Sequence, residues 1–193
     1  MAKRYLYLVR HGEYTSTPAP SDLPDGPLTE IGRQQATAVG HRLQDLPISA
    51  IHCSNLIRAA ETATIIATAF PGVTPQPTKI LRECIPSVPP EQQSAFEKIP
   101  SRFLEGGEAQ ARAAYDQYMR EPATSDEYEI IVSSGNLLCY FVTRSLNAPI
   151  DSWILTDINH GGVSEIILGP PHGVLVLRHN DISHLPVTLQ TKG

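Results

Sequence analysis

A chain of 193 residues, 41% hydrophobic and 18% charged, can bury a sizeable core without splitting, and one domain over residues 1–193 is expected. The formal net charge of −5 gives no reason to expect nucleic acid as a partner, so any positive potential must be local. No apolar run approaches the ~20 residues of a membrane span. The three cysteines (Cys53, Cys84, Cys139) show neither a pairing framework nor metal-ligand spacing, and the N-terminus lacks the apolar core of a signal peptide, so a reducing, cytoplasmic setting is expected.

Along the chain, strand and helix patterns alternate. Tyr5 to Val9 is continuously apolar and aromatic, the pattern of a buried strand. Residues 14–27 hold four prolines and Gly26, which predicts a loop able to reach over a strand end. Thr29 is a plausible N-cap, after which Ile31, Ala36, Val39, Leu43 and Leu46 recur at helical spacing until Pro47. A second strand is expected over 48–53 and a second helix over 56–70, stopped by Pro71-Gly72. Residues 71–100 are proline-rich and are read as an insertion lying over a pocket. A helix over 108–120, a third strand over 129–133 and a helix over 137–146 follow, the last one apolar enough to be core and carrying Cys139. Val163 to Leu168 and Val174 to Leu177, joined through Gly169-Pro170-Pro171-His172-Gly173, predict a hairpin. The sum is an α/β domain of three layers around a mostly parallel sheet.

Chemistry concentrates at two predicted strand ends. Arg10-His11-Gly12-Glu13 follows the first strand, where side chains are held by the sheet yet open to a ligand. A neutral histidine is a competent nucleophile toward phosphorus, and an adjacent arginine can fork onto two phosphoryl oxygens. Val132-Ser133-Ser134-Gly135-Asn136 has the layout of a matching strand end, with Ser134 where a second histidine would complete a site.

Five segments in order carry a family resemblance. Arg10-His11-Gly12, Leu28-Thr29 to Ala36, Cys53 to Ala63 with Arg58, Leu81-Arg82-Glu83, and Ser133 to Leu138 resemble the motifs of the histidine phosphatase superfamily, also called phosphoglycerate-mutase-like. Tyr14, Arg82-Glu83, Glu105-Gly106 and Asn136 to Leu146 look closest to the branch that contains a protein Ser/Thr phosphatase. The resemblance implies a phosphoglycerate-mutase-like α/β/α sandwich and hydrolysis of a phosphomonoester through a phosphohistidine on His11. Arg10 and Arg58 would clamp the phosphoryl oxygens, with Arg82 as a third candidate and Asn55 and Asn136 as neutral donors. A backbone carbonyl near Gly12 is expected to fix the His11 tautomer. Glu83 is the choice for general acid and Glu13 the competitor. No cofactor is implied, and no metal is needed because arginines supply the charge.

Ser134 is the departure from the family pattern, since a serine donor is neutral and short. Losing one transition-state donor costs roughly 10²–10³ in rate. Three readings follow in order: a weakened phosphatase, a pseudophosphatase that binds phosphorylated ligands or protein partners, and a mutase. The rim, expected from residues 14–27 and 84–105, offers few cations (Lys79, Lys98, Arg102), which favours a phosphoprotein or small monophosphate over a sugar bisphosphate. Homo-oligomerisation stays open, with the edge of the hairpin as a pairing surface. His41 and His52 are read as surface or core without partners, and His172, His179 and His184 as surface. His160 is read the same way with one reservation: Asn159-His160-Gly161-Gly162 sits where the family chain often returns to the pocket, so His160 could partly replace the missing histidine.

Overall fold

The structure, a computed structural model, describes residues 1–17, 24–99, 101, 104–122 and 124–192. Six strands form one mixed sheet in the order β3-β2-β4-β1-β5-β6. The strands are β1 (Arg4–Arg10), β2 (Ala50–Ser54), β3 (Gln76–Thr78), β4 (Glu127–Ser133), β5 (Val163–Gly169) and β6 (Gly173–Asp181). The three pairings from β3 to β1 are parallel, and β5 and β6 add antiparallel to that block as the expected hairpin.

Among the described residues five α-helices complete the layers: α1 (Glu30–Leu43), α2 (Ile57–Ala67), the single-turn α3 (Gln93–Phe96), α4 (Gly107–Tyr118) and α5 (Gly135–Ser145). Alternation along β1 divides the core in two. Leu6 and Leu8 join a cluster with Ala111 and Ala114 of α4 and Leu138 and Phe141 of α5. Tyr7 and Val9 join the other, with Val39 and Leu43 of α1 and Ala63 and Ile66 of α2. α1 and α2 therefore cover one face of the sheet, and α4 and α5 the other.

Thr29 caps α1 as expected, its hydroxyl accepting from the Gly32 N–H at 3.0 Å. Leu56, at the start of α2, offers no side-chain cap. The carboxylate of Asp25, from the proline-rich loop, supplies it instead, accepting from the N–H of Ile57 at 2.6 Å.

Two expectations need correction here. Residues 71–100 are not solely an insertion, because Gln76–Thr78 pairs parallel to β2 as an edge strand. Three residues with Pro77 at their centre carry no periodicity to read, and an edge is where proline is tolerated in a sheet. His52 is not partnerless: its Nε2 lies 3.1 Å from Glu129 Oε2, which also takes Nη2 of the buried Arg4 at 2.5 Å. That contact spans 77 residues of chain, out of reach of local pattern reading.

Candidate active site

The register of the sheet assembles the site. Arg10 stands opposite Ser133 in the β1–β4 pairing, so the two strands end level. The His11 N–H then donates to the Ser133 carbonyl at 3.0 Å, bringing His11 beside Ser134. The segment returning from the 3₁₀ turn Ile150–Leu155 reaches the same place, where Arg10 N–H donates to Gly162 O at 3.2 Å and Gly161 N–H to Arg10 O at 3.1 Å. Gly161, at φ +68°, makes the bend that presents His160.

His11 is held in a single protonation pattern. Its Nδ1 lies 2.9 Å from the Gly12 carbonyl, which can only accept, so Nδ1 carries the proton. Nε2 therefore bears the lone pair, and it accepts from Arg58 Nε at 2.9 Å. Burial, then the neighbouring Arg58, hold the imidazole well below the usual histidine pKa and keep it neutral. Gly12 itself is locked twice. Its N–H donates to Thr62 Oγ1 at 3.0 Å, and a Cβ on it would lie 2.5 Å from the Gly32 carbonyl. A Cβ on Gly32 would in turn lie 2.0 Å from the Glu13 carbonyl oxygen, so the close approach of these two backbone segments explains both glycines in the two N-terminal motifs.

Arg58, 1% exposed, is the hub of the charges. Besides His11 it donates to Glu83 Oε2 at 3.0 Å, Ser134 Oγ at 3.2 Å and Asp25 Oδ1 at 3.1 Å. Tyr14 lies against it, with the guanidinium carbon 4.7 Å from the ring centroid, and meets His11 edge-on at 5.3 Å. Arg10 donates to the Ile158 carbonyl at 2.5 Å and lies 3.7 Å from Asp157.

A cavity of about 550 Å³ opens above these groups. His11, Arg10, Glu13, Glu83, Asn136 and His160 line its polar part, while Trp153, Ile154 and Cys139 make an apolar wall. Both acid candidates are present. Glu83 is tied to Arg58, and Glu13 accepts from the Thr29 hydroxyl at 2.8 Å. Asn55 and Arg82 are turned onto each other, Arg82 Nε donating to Asn55 Oδ1 at 2.7 Å, and neither lines the cavity. Among the described residues, no group of three or more His, Cys, Asp or Glu side chains is placed to hold a metal.

The rim differs from the expectation. Tyr14 and Ser16 contribute from the proline-rich loop, but no described residue of 84–105 lines the cavity. Residues 85–88 instead border a separate groove with Leu104 and Glu108. Lys79 and Lys98 are absent from the cavity wall, Arg102 lies outside the described residues, and Lys192 near the C-terminus lines it instead. His160 is no surface residue, at 4% exposure. Gln35, Thr62, Tyr14 and Asp25 were not singled out as site residues by sequence. The signal was available for Gln35 and Thr62, which belong to the motif segments.

Residues 6–181 match the histidine phosphatase superfamily (branch 1), and the chain belongs to that family. Among curated proteins it is similar to the mitochondrial serine/threonine-protein phosphatase Pgam5 of Drosophila willistoni, 33% identical over 191 residues, 95% of this chain and 65% of that protein. The human PGAM5 protein of the same description is 30% identical, over 96% of this chain and 65% of its own length. The chain thus spans about 65% of the length of these relatives. Among solved structures, a phosphoglycerate mutase from Plasmodium falciparum aligns with TM-score 0.66 at 25% identity, covering 97% of this chain and 96% of that one. Bacillus stearothermophilus YhfR aligns with TM-score 0.72 at 23% identity, covering 95% and 100%. The expectation of a cytoplasmic protein does not stand, because these curated relatives are mitochondrial. Among the described residues no helix is long and apolar enough to cross a membrane.

Proposed function

We propose that this protein hydrolyses phosphomonoesters through a phosphohistidine on His11. The observation that carries the reading is His11 itself: neutral, proton on Nδ1, with its Nε2 lone pair beside Arg58 in the cavity floor. Nε2 attacks phosphorus as the ester P–O bond breaks, and the leaving oxygen takes a proton from Glu83. Water then gives a proton back to Glu83, attacks phosphorus and breaks the N–P bond, which releases phosphate and restores His11. Arg10 and Arg58 offset the charge on the equatorial oxygens, aided by the N-terminal turn of α5 at Gly135 and Asn136, so no metal is required. The Ser134 hydroxyl accepts from Arg58 and keeps its own proton for a phosphoryl oxygen, a neutral donor where the family pattern has an imidazole. Glu13, held by Thr29, shapes the substrate side of the pocket next to Gly12, while Asn55 and Arg82 brace each other beyond it.

The cavity favours one phosphate on a partly apolar body. Glu13, Glu83 and Asp157 line it beside the Trp153 and Ile154 wall, and those carboxylates oppose a second phosphate. A phosphorylated protein side chain or a small monophosphate fits, and the names of the mitochondrial relatives support the former. Binding of phosphorylated partners without turnover is the second reading, and Ser134 is the observation in its favour.

Hydrolysis of nitrophenyl phosphate by the chain, by Ser134→His and by His11→Ala tests the proposal, with protein quenched in alkaline denaturant assayed for acid-labile, alkali-stable phosphohistidine. His11→Ala is expected to lose on the order of 10⁴–10⁶-fold. Ser134→His should gain up to about 10²–10³-fold. A His11→Ala variant that still turns over overturns the mechanism. Three inactive proteins that still bind vanadate establish the binding reading.

A further inference from the structure

Among the histidines that sequence reading placed on the surface, His160 alone lines the cavity, and its ring centroid is 5.6 Å from that of His11. It is 4% exposed, and its Nε2 is buried without a hydrogen-bond partner. Its Nδ1 lies 2.9 Å from Thr191 Oγ1 in the C-terminal tail. A chain of contacts leads to this pair from the Glu13 backbone through Gln35.

The backbone N–H of Glu13 donates to one end of the Gln35 side chain at 2.8 Å, so that end is the oxygen. The other end lies 2.7 Å from the Leu189 carbonyl, which only accepts, so it is the nitrogen. Both ends agree, and the amide orientation is settled. Gln35 Nε2 then donates to Thr191 Oγ1 at 3.0 Å. Having accepted from Gln35, the Thr191 hydroxyl still carries a proton that it can give to His160 Nδ1, and in that arrangement the imidazole proton is on Nε2.

We infer that His160 is a catalytic residue of this site: its Nε2–H, oriented by Gln35 and Thr191, donates to the phosphoryl group and takes over the part left open by Ser134. The inference rests on the phosphoryl-transfer reading above. Burial, followed by the charge of Arg10, holds the His160 pKa at about 4, so the group donates as neutral imidazole. It supplies a hydrogen bond without the extra charge of an imidazolium. Thr191 acts as a positioning residue, 31 residues further along the chain.

Turnover of nitrophenyl phosphate and vanadate affinity should be measured for His160→Phe, His160→Gln, Thr191→Val and Thr191→Ser. His160→Phe is also made in the Ser134→His background. His160→Phe is expected to lose about 10²–10³-fold in kcat, the cost of one donor. His160→Gln, which can present an N–H near the same point, should retain most of the rate. Thr191→Val should lose about 10- to 100-fold, as removal of an orienting partner commonly does, and Thr191→Ser should recover it. With Ser134→His present, His160→Phe should cost less than about tenfold, because an imidazole again faces the phosphoryl group. Long-range ¹⁵N spectra should show the His160 proton on Nε2. An equal loss from His160→Phe in both backgrounds, or the proton on Nδ1, overturns the inference. If the parent chain has no turnover, the hydrolytic reading fails by itself. Vanadate affinity then decides for His160: a loss in His160→Phe supports its donor role, and unchanged affinity ends it.

Discussion

His11 with Arg10 and Arg58, the motif side of the site, and His160, the second side, are positioned by different kinds of neighbour. On the first side the contacts come from the N-terminal motif segments: the Gly12 carbonyl, Thr62, and the Gly32 backbone against which Gly12 packs. Short loops between a strand end and a helix set that geometry, with few degrees of freedom left to the side chains. On the second side, His160 depends on a bend at Gly161 and on Thr191, 31 residues further along the chain. The motif side is held by its own motif segments, while His160 is held by residues 189–191, which pack over α1 through Gln35.

The sharpest way to break this comparison is through Glu83, which is tied to Arg58 on the motif side. Glu83→Ala should slow hydrolysis of an alkyl phosphate by about 10²–10⁴-fold and of nitrophenyl phosphate far less, since a good leaving group needs no proton. Equal losses on both substrates would move the general acid to Glu13. Arg58→Lys comes next. It keeps the charge but loses the fork that reaches His11, Glu83, Ser134 and Asp25 together, and kcat/KM should fall about 10²-fold. An unchanged kcat/KM would mean that charge alone suffices on the motif side.

The smallest effect is thermodynamic. His11 and His160 are both held neutral in the fold, His160 at about 4. Below about pH 6.5 the unfolded chain takes up protons that the folded chain refuses. Their contribution is therefore fully present above about pH 6.5 and is lost as pH falls toward the folded values. The slope is at most about 1.4 kcal/mol per pH unit for each histidine. Urea midpoints at neutral and mildly acid pH should show the decline, and His160→Gln should flatten it. A slope unchanged by His160→Gln would mean that the ring titrates normally and is not buried as described.

Much of this was legible without coordinates. The Arg10-His11-Gly12 motif, the capping threonine at position 29, the continuous apolar run of the first strand and the buried helix behind Ser134 follow from local periodicity and local hydrogen bonding. The Gly12 carbonyl as tautomer lock was also predictable, because the acceptor is one residue from the ring. The misses share a physical cause. β3 is three residues with a proline at the centre, stabilised by the neighbouring strand and not by its own propensity. His52 was read as partnerless although Glu129, 77 residues away, is its neighbour. The rim was assigned to the proline-rich segment 84–105 from composition, whereas Trp153, Ile154 and Lys192 line the cavity.

By itself the sequence determined the two-layered helical cover of an α/β sheet, the family and the motif residues that gather around His11, because each depends on spacings of a few residues. The tertiary structure decided how residues 189–191 return to the site and that His160 is buried against the cavity. It also decided that Arg58 serves His11, Glu83, Ser134 and Asp25 at once. Those outcomes depend on contacts closed across 25 to 156 residues, where hydrogen-bond geometry in three dimensions, not local pattern, chooses the partner.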